Sequence, residues 1–236
     1  NPQAILIAAN DKTVMQKPIE AAIAAGIKVV LVDTTIDDPS KAVSEIASDN
    51  YGGGKAAFDA VKQLQPKGGK VLVVSTSPGV SSVDARVLGF ADKANADKKF
   101  NYLGVQYSNN EPAVAQRIVT AALAKNRDIV AVFATNLFSA QGVAAGIKQA
   151  GRAGKVTVVG FDAGSDQVKA LKAGTVQALI AQQPGTIGSK GIEAAVAAIS
   201  GKAPESKKIA TGFTILTKKN IDTAAGKKAQ YRDSCN

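Results

Sequence analysis

Nearly every short apolar run in this chain is followed by a side chain that can make directed hydrogen bonds. Ala4–Ala8 leads to Asn10 and Asp11, Ile27–Val32 to Asp33, and Val71–Ser75 to Thr76 and Ser77, with Arg86 a little further on. Tyr102–Gln106 leads to Tyr107 and Asn110, Ile129–Ala134 to Asn136, Val156–Phe161 to Asp162, and Val176–Ala181 to Gln182. The set is carboxylates, amides and one guanidinium, without a nucleophile–base pair. Such groups suit a neutral ligand carrying many hydroxyls, because each hydroxyl both donates and accepts. Hydrogen bonds to charged groups contribute roughly 1.5–3 kcal/mol each. About four to six of them, after ordering costs, support micromolar binding, roughly −8 kcal/mol. Taken singly, each Asn or Asp also reads as a helix cap, since these residues satisfy the orphan N–H groups of a first turn.

One stretch suggests different chemistry. Ser48-Asp-Asn-Tyr-Gly-Gly-Gly-Lys55 resembles a phosphate-binding loop. That loop requires Gly, four residues, then Gly-Lys-Ser/Thr. Here Asp49 stands at the first glycine position, where a carboxylate repels phosphate, and Ala56 replaces the metal-binding hydroxyl. The glycines read instead as a crossing into a helix start at Gly54, with backbone freedom easing the passage.

Absences narrow the chemistry further. The chain has no histidine, which removes Ser-His-Asp and Cys-His catalysis, histidine metal sites and the commonest general base near neutral pH. Its single cysteine, Cys235, forms neither a zinc cluster nor an internal disulfide. The expectation is therefore no enzyme, no metal and no cofactor. An enzyme on this pattern would have to use Asp33 and Asp162 as acid and base.

The elements that carry these residues alternate. Each apolar run is followed by an alanine-rich segment with helical spacing: Pro18–Ala25, Gly54–Leu64, Ala85–Ala94, Ala113–Ala124, Ala140–Ala150, Asp166–Ala173 and Ile187–Ile199. Continuous apolar strands alternating with helices predict α/β architecture, with parallel sheets covered on both faces. In such sheets ligands bind beyond the carboxyl ends of the strands, which is where the polar residues fall.

The chain's 236 residues suffice for one large core or two small ones. No apolar run is long enough to span a bilayer, and no signal peptide is visible, so no membrane insertion is expected. The net charge of +10 comes from scattered pairs such as Lys98-Lys99 and Lys227-Lys228. Without an arginine-rich arm or interleaved aromatics, these read as solvated helix faces, and no nucleic-acid partner is expected.

Six segments in order carry a resemblance: Ala9-Asn-Asp11, Val29–Asp33, Ile46–Asn50 with Gly54-Lys55, Val132–Asn136, Val158–Asp162 and Ile180–Pro184, with Thr217–Asn220 near the end. Together they resemble the type I periplasmic binding protein family, specifically ribose-type sugar-binding proteins of ABC transporters. The resemblance covers nearly the whole chain. No single motif is specific, but the ordered set is. It implies two Rossmann-like lobes joined by a three-segment hinge that closes on sugar between them. It further implies a monomeric extracytoplasmic receptor, in the periplasm or lipid-anchored outside the cell, which delivers a monosaccharide or sugar alcohol to a permease.

By position, the resemblance assigns sugar contacts to Asp33, Arg86, Asn136, Asp162 and Gln182. Asn10, Tyr107, Asn110 and Phe138 are further possible contacts, Asn110 standing where relatives often place a stacking aromatic. It sets a first lobe at 1–48 and 183–211, and a second at 49–182 and 212–236. Two departures matter. Leu137 stands where relatives usually have an acidic residue, and Thr34 where the ribose binder has a second arginine, which argues against ribose itself. The family also begins with a strand, a helix, a second strand and a helix ahead of the segment matching residue 1. Their lack implies a fragment with an open sheet edge, and Cys235 would pair with a cysteine in the missing part. The alternative is the effector-binding domain of a lactose-repressor-type regulator, which shares the fold.

Overall fold

The computed structural model describes residues 2–232; Cys235 lies outside them. In chain order the elements are β1 (Ala4–Ile7), α1 (Gln16–Ala24), β2 (Lys28–Val32), β3 (Ser44–Ser48), α2 (Asn50–Leu64), β4 (Gly69–Ser75), α3 (Ser81–Ala96) and β5 (Phe100–Tyr107). There follow α4 (Pro112–Lys125), β6 (Ile129–Ala134), α5 (Leu137–Gln149), β7 (Thr157–Phe161), α6 (Ser165–Ala173), β8 (Ala178–Ala181), α7 (Pro184–Ile199), β9 (Lys208–Thr211), β10 (Thr214–Leu216) and α8 (Ala224–Ala229). The architecture is α/β, as the alternation predicts. All seven expected strands and all seven expected helices form. Three strands, β3, β9 and β10, and the short helix α8 carried too weak a pattern to be anticipated.

The chain divides into two compact units. One comprises Asn1–Asp49, Gly79–Asp84 and Gln183–Gly212; the other comprises Asn50–Pro78, Ala85–Gln182 and Phe213–Asn236. The first unit holds a four-stranded parallel sheet in the order β1-β2-β3-β9. Strand β2 is buried on both faces because alternate residues point opposite ways. Val29 and Leu31 join Ile19 of α1 in one cluster, while Val30 joins Ile46 of β3 and Ile187, Ala194 and Ala195 of α7 in another. The strand β3 escapes sequence reading because Ser-Glu-Ile-Ala-Ser has one large apolar side chain and two buried serines.

The second unit holds a six-stranded sheet in the order β10-β8-β7-β6-β4-β5. All its pairings are parallel except the edge strand β10, which runs antiparallel to β8. The same alternation feeds two cores. Leu72, Val74, Val132, Val158 and Leu179 face one cluster with Val119, Leu123, Val143 and Ile147 of α4 and α5. Val71, Val73, Phe133, Val159 and Ile180 face the other with Phe58, Val61 and Phe90 of α2 and α3. Burial on both faces is why these strands read as unbroken apolar runs.

The glycine run lies inside α2, not ahead of it: the helix begins at Asn50, so Gly52, Gly53 and Gly54 occupy its first turns. A Cβ on Gly54 would overlap the Arg86 carbonyl oxygen, and one on Gly89 of α3 would overlap the Tyr51 carbonyl oxygen. A Cβ on Gly53 would meet the Phe161 ring at 2.7 Å. The run is therefore a packing surface where α2 meets α3 and β7. Lys55 is half-buried, with its Nζ 4.5 Å from the Tyr51 ring centroid. Among the described residues no helix is long and apolar enough to cross a membrane.

Candidate functional site

In the second unit, β4, β6, β7 and β8 lie side by side in the sheet, so their carboxyl ends share one edge. Thr76, Thr135 with Asn136, Asp162 and Gln182 follow these four strands directly. Asp162 takes a left-handed backbone conformation, φ 78°, which is uncommon for a residue with a side chain. Its own N–H still extends the ladder to Ile180 O at 2.9 Å. The strand thus ends abruptly, and strain of this kind is held in place by surrounding structure at ligand-binding positions.

The Asp162 carboxylate is almost fully enclosed, at 8% exposure, and accepts three hydrogen bonds. Oδ2 accepts from the Leu137 N–H at 3.0 Å, a first-turn donor of α5. Oδ1 accepts from Gln182 Nε2 at 2.7 Å and from the Tyr231 hydroxyl at 2.9 Å. Burial, then the neighbouring Asp162 charge, pushes the Tyr231 pKa well above the usual tyrosine value, so the hydroxyl stays a donor.

Arg86, from α3, is 2% exposed. Its guanidinium carbon lies 3.6 Å from the centroid of the Phe161 ring, a cation–π stack. Nε donates to Asn50 Oδ1 at 2.9 Å, Nη1 to the Thr135 carbonyl at 2.9 Å and Nη2 to Gln182 Oε1 at 3.5 Å. Burying a guanidinium is costly unless its donors are matched, and these acceptors match them. Gln182 joins the two charges, accepting from Arg86 and donating to Asp162. Asn50, Arg86, Gln182, Asp162 and Tyr231 therefore form one continuous polar chain drawn from α2, α3, the ends of β8 and β7, and the segment after α8.

Asn136 has two roles. Its Oδ1 accepts from the Ser139 N–H at 3.0 Å, capping α5, and its Nδ2 donates to Asn110 Oδ1 at 2.7 Å. Capping and site geometry coincide here, so the two readings of a strand-end Asn do not exclude one another. Asn109 and Asn110 both have positive φ, 51° and 61°. Tyr107 and Phe138 are 37% and 44% exposed, Tyr107 ending β5 and Phe138 in the first turn of α5. Leu137 gives its backbone N–H to the site in place of the expected acidic side chain.

In the first unit, Asn10 and Asp33 follow the adjacent parallel strands β1 and β2. Asn10 is exposed. Asp33 repeats the geometry of Asp162: φ is 64°, and its N–H donates to Ile46 O of the neighbouring strand at 2.8 Å. The buried Thr34 and Thr76 hydroxyls have no hydrogen-bond partner among the described residues. Each sits just past the carboxyl end of a strand.

The sequence-predicted residues thus fall into two groups. Asn10 and Asp33 belong to the first unit; Arg86, Tyr107, Asn110, Asn136, Phe138, Asp162 and Gln182 belong to the second. Sequence reasoning missed Asn50, Thr135 and Tyr231. Asn50 was visible only as part of a crossing, Thr135 acts through its carbonyl, and Tyr231 reaches the site from a tail with no periodic pattern. Among the described residues there is no group of three or more His, Cys, Asp or Glu able to hold a metal ion.

The sequence pattern of the periplasmic binding protein domain matches residues 1–203. The ribose import binding protein RbsB of Haemophilus influenzae is 38% identical over 165 residues, covering 70% of this chain and 56% of its own length. The chain thus spans little more than half of that relative. Among solved structures, a solute-binding protein of an ABC transporter from Agrobacterium vitis, bound with α-D-tagatopyranose, superposes with a TM-score of 0.95 at 36% identity. That match covers 99% of this chain and 81% of the other. A second protein from Agrobacterium vitis, with bound D-fucose, gives a TM-score of 0.92 at 33% identity, covering 97% and 79%.

Proposed function

The chain belongs to the periplasmic binding protein domain family, and on that premise we propose that it captures a neutral monosaccharide or sugar alcohol outside the cytoplasm and hands it to an ABC transporter permease. One observation carries the reading: the Arg86–Gln182–Asp162 chain, its two charged ends buried, at the carboxyl edge of a parallel sheet. It offers fixed donors and acceptors of both charges, which neutral hydroxyls match and which a phosphate or carboxylate ligand would oppose at Asp162. Arg86 and Asp162 act as the principal donor and acceptor. Asn136 and Gln182 both donate and accept, and Asn110, Tyr107 and Phe138 line the approach. Asp33 and Asn10, at the strand ends of the first unit, are proposed as further sugar contacts. We read the function as capture without chemistry, in keeping with the import binding proteins to which the chain is similar.

The names of the relatives guide the substrate class. The solved structures at 36% and 33% identity hold a ketohexose and a deoxyhexose. A hexose in ring form is therefore the first candidate, with pentoses and polyols next. Localisation follows as periplasmic or lipid-anchored outside the cell, and the receptor works as a monomer. Isothermal titration of the full-length protein against hexoses, pentoses and polyols tests the proposal. Micromolar-or-tighter binding of one sugar class supports it; no binding across the panel, or product formation during incubation, overturns it.

A further inference from the structure

Tyr231 reaches the candidate site from the segment after α8. It lies beyond the residues 1–203 matched by the family pattern, yet its hydroxyl donates to Asp162 Oδ1 at 2.9 Å. Its backbone N–H donates to the Ala163 carbonyl at 3.0 Å, which anchors the segment after α8 beside β7. An ionised carboxylate accepts about four hydrogen bonds. Asp162 already receives three, from Gln182 and Tyr231 on Oδ1 and from the Leu137 N–H on Oδ2. We infer that Tyr231 sets sugar specificity: with Gln182 it fills Oδ1, so Asp162 presents one acceptor position, on Oδ2, and reads one ligand hydroxyl instead of a neighbouring pair.

The inference rests on the reading that Asp162 faces the sugar. It carries a consequence for epimers. A carboxylate open on both oxygens can take two adjacent hydroxyls in a fork, and inverting either one then costs affinity. A carboxylate limited to one position responds to one stereocentre only. Removing the tyrosine hydroxyl reopens Oδ1 and adds a second stereocentre to what is read.

The test is isothermal titration of full-length wild type, Tyr231→Phe and Asp162→Asn against sets of hexoses that differ at single hydroxyls. Tyr231→Phe keeps the ring and should change the ratio of affinities between at least one epimer pair by about five-fold or more. Equal scaling of every affinity, or no change, overturns the inference while leaving the functional reading intact. Asp162→Asn binding as well as wild type overturns both. A second measurement stands independently of whether Tyr231→Phe folds. In protein labelled with 3-fluorotyrosine, the fluorine resonance of Tyr231, assigned by elimination through Tyr→Phe substitution of the other tyrosines, should shift on saturation with the bound sugar. An unmoved resonance overturns the inference.

Discussion

At the scale of single residues, the site is defined by how completely its charges are matched. Arg86 is buried against Phe161 and donates to an amide, a backbone carbonyl and Gln182. Replacing it with alanine removes the donor and strands those acceptors. Arg86→Ala should weaken sugar binding by about 2–4 kcal/mol, measured by titration calorimetry with thermal unfolding as a control for folding. Unchanged affinity in a folded variant would make Arg86 purely structural. Lys55 provides the contrast. It packs half-buried over the Tyr51 ring, outside the polar chain, so Lys55→Ala should change affinity by less than about two-fold. A large loss there would revive phosphate recognition by the glycine stretch. The strained backbones of Asp33 and Asp162, at φ 64° and 78°, were not visible in the sequence. Aspartate tolerates this conformation only somewhat better than most residues, and tertiary contacts hold it.

Elements explain what the glycines do. The run in α2 permits close approach of α3 through Gly54 and of β7 through Gly53. Gly54→Ala should destabilise the protein by about 1–3 kcal/mol through overpacking. Because the clashing atom is the Arg86 carbonyl, sugar affinity should fall as well. Gly188 in α7 has open space around its missing side chain, so Gly188→Ala should stabilise by about 0.5–1 kcal/mol from helix propensity alone. Urea unfolding midpoints of the two variants check both signs. Equal effects would mean that propensity, and not packing, governs these positions. The strand ends illustrate the same principle. Asn136 caps α5 and also meets Asn110 because β6 delivers both the helix start and the edge of the sheet.

For the whole molecule, the question is what a charge of +10 contributes. The cations are spread over helices, strands and turns, and not over helix faces alone as the sequence suggested, while the candidate site buries one guanidinium and one carboxylate joined by an amide. A neutral ligand should therefore be insensitive to ionic strength. Raising salt from about 20 mM to 500 mM should alter the dissociation constant by less than about two-fold, since screening acts on net charges. A steep loss of affinity with salt would point to an anionic ligand and away from a sugar.

The sequence by itself determined the α/β class, the chain order of the buried strands and, as candidates, the strand-end residues Asp33, Asn136, Asp162 and Gln182 with Arg86 of the helix that follows β4. It could do so because burial on both faces forces apolar runs, and polar residues are tolerated only where those runs stop. The serine-flanked β3, the place of the glycines within α2 and the arrival of Tyr231 at Asp162 were decided by the tertiary structure alone. Each depends on contacts between residues distant in the chain, Gly54 with Arg86 and Asp162 with Tyr231. No local pattern of hydrophobicity or turn chemistry encodes such a contact.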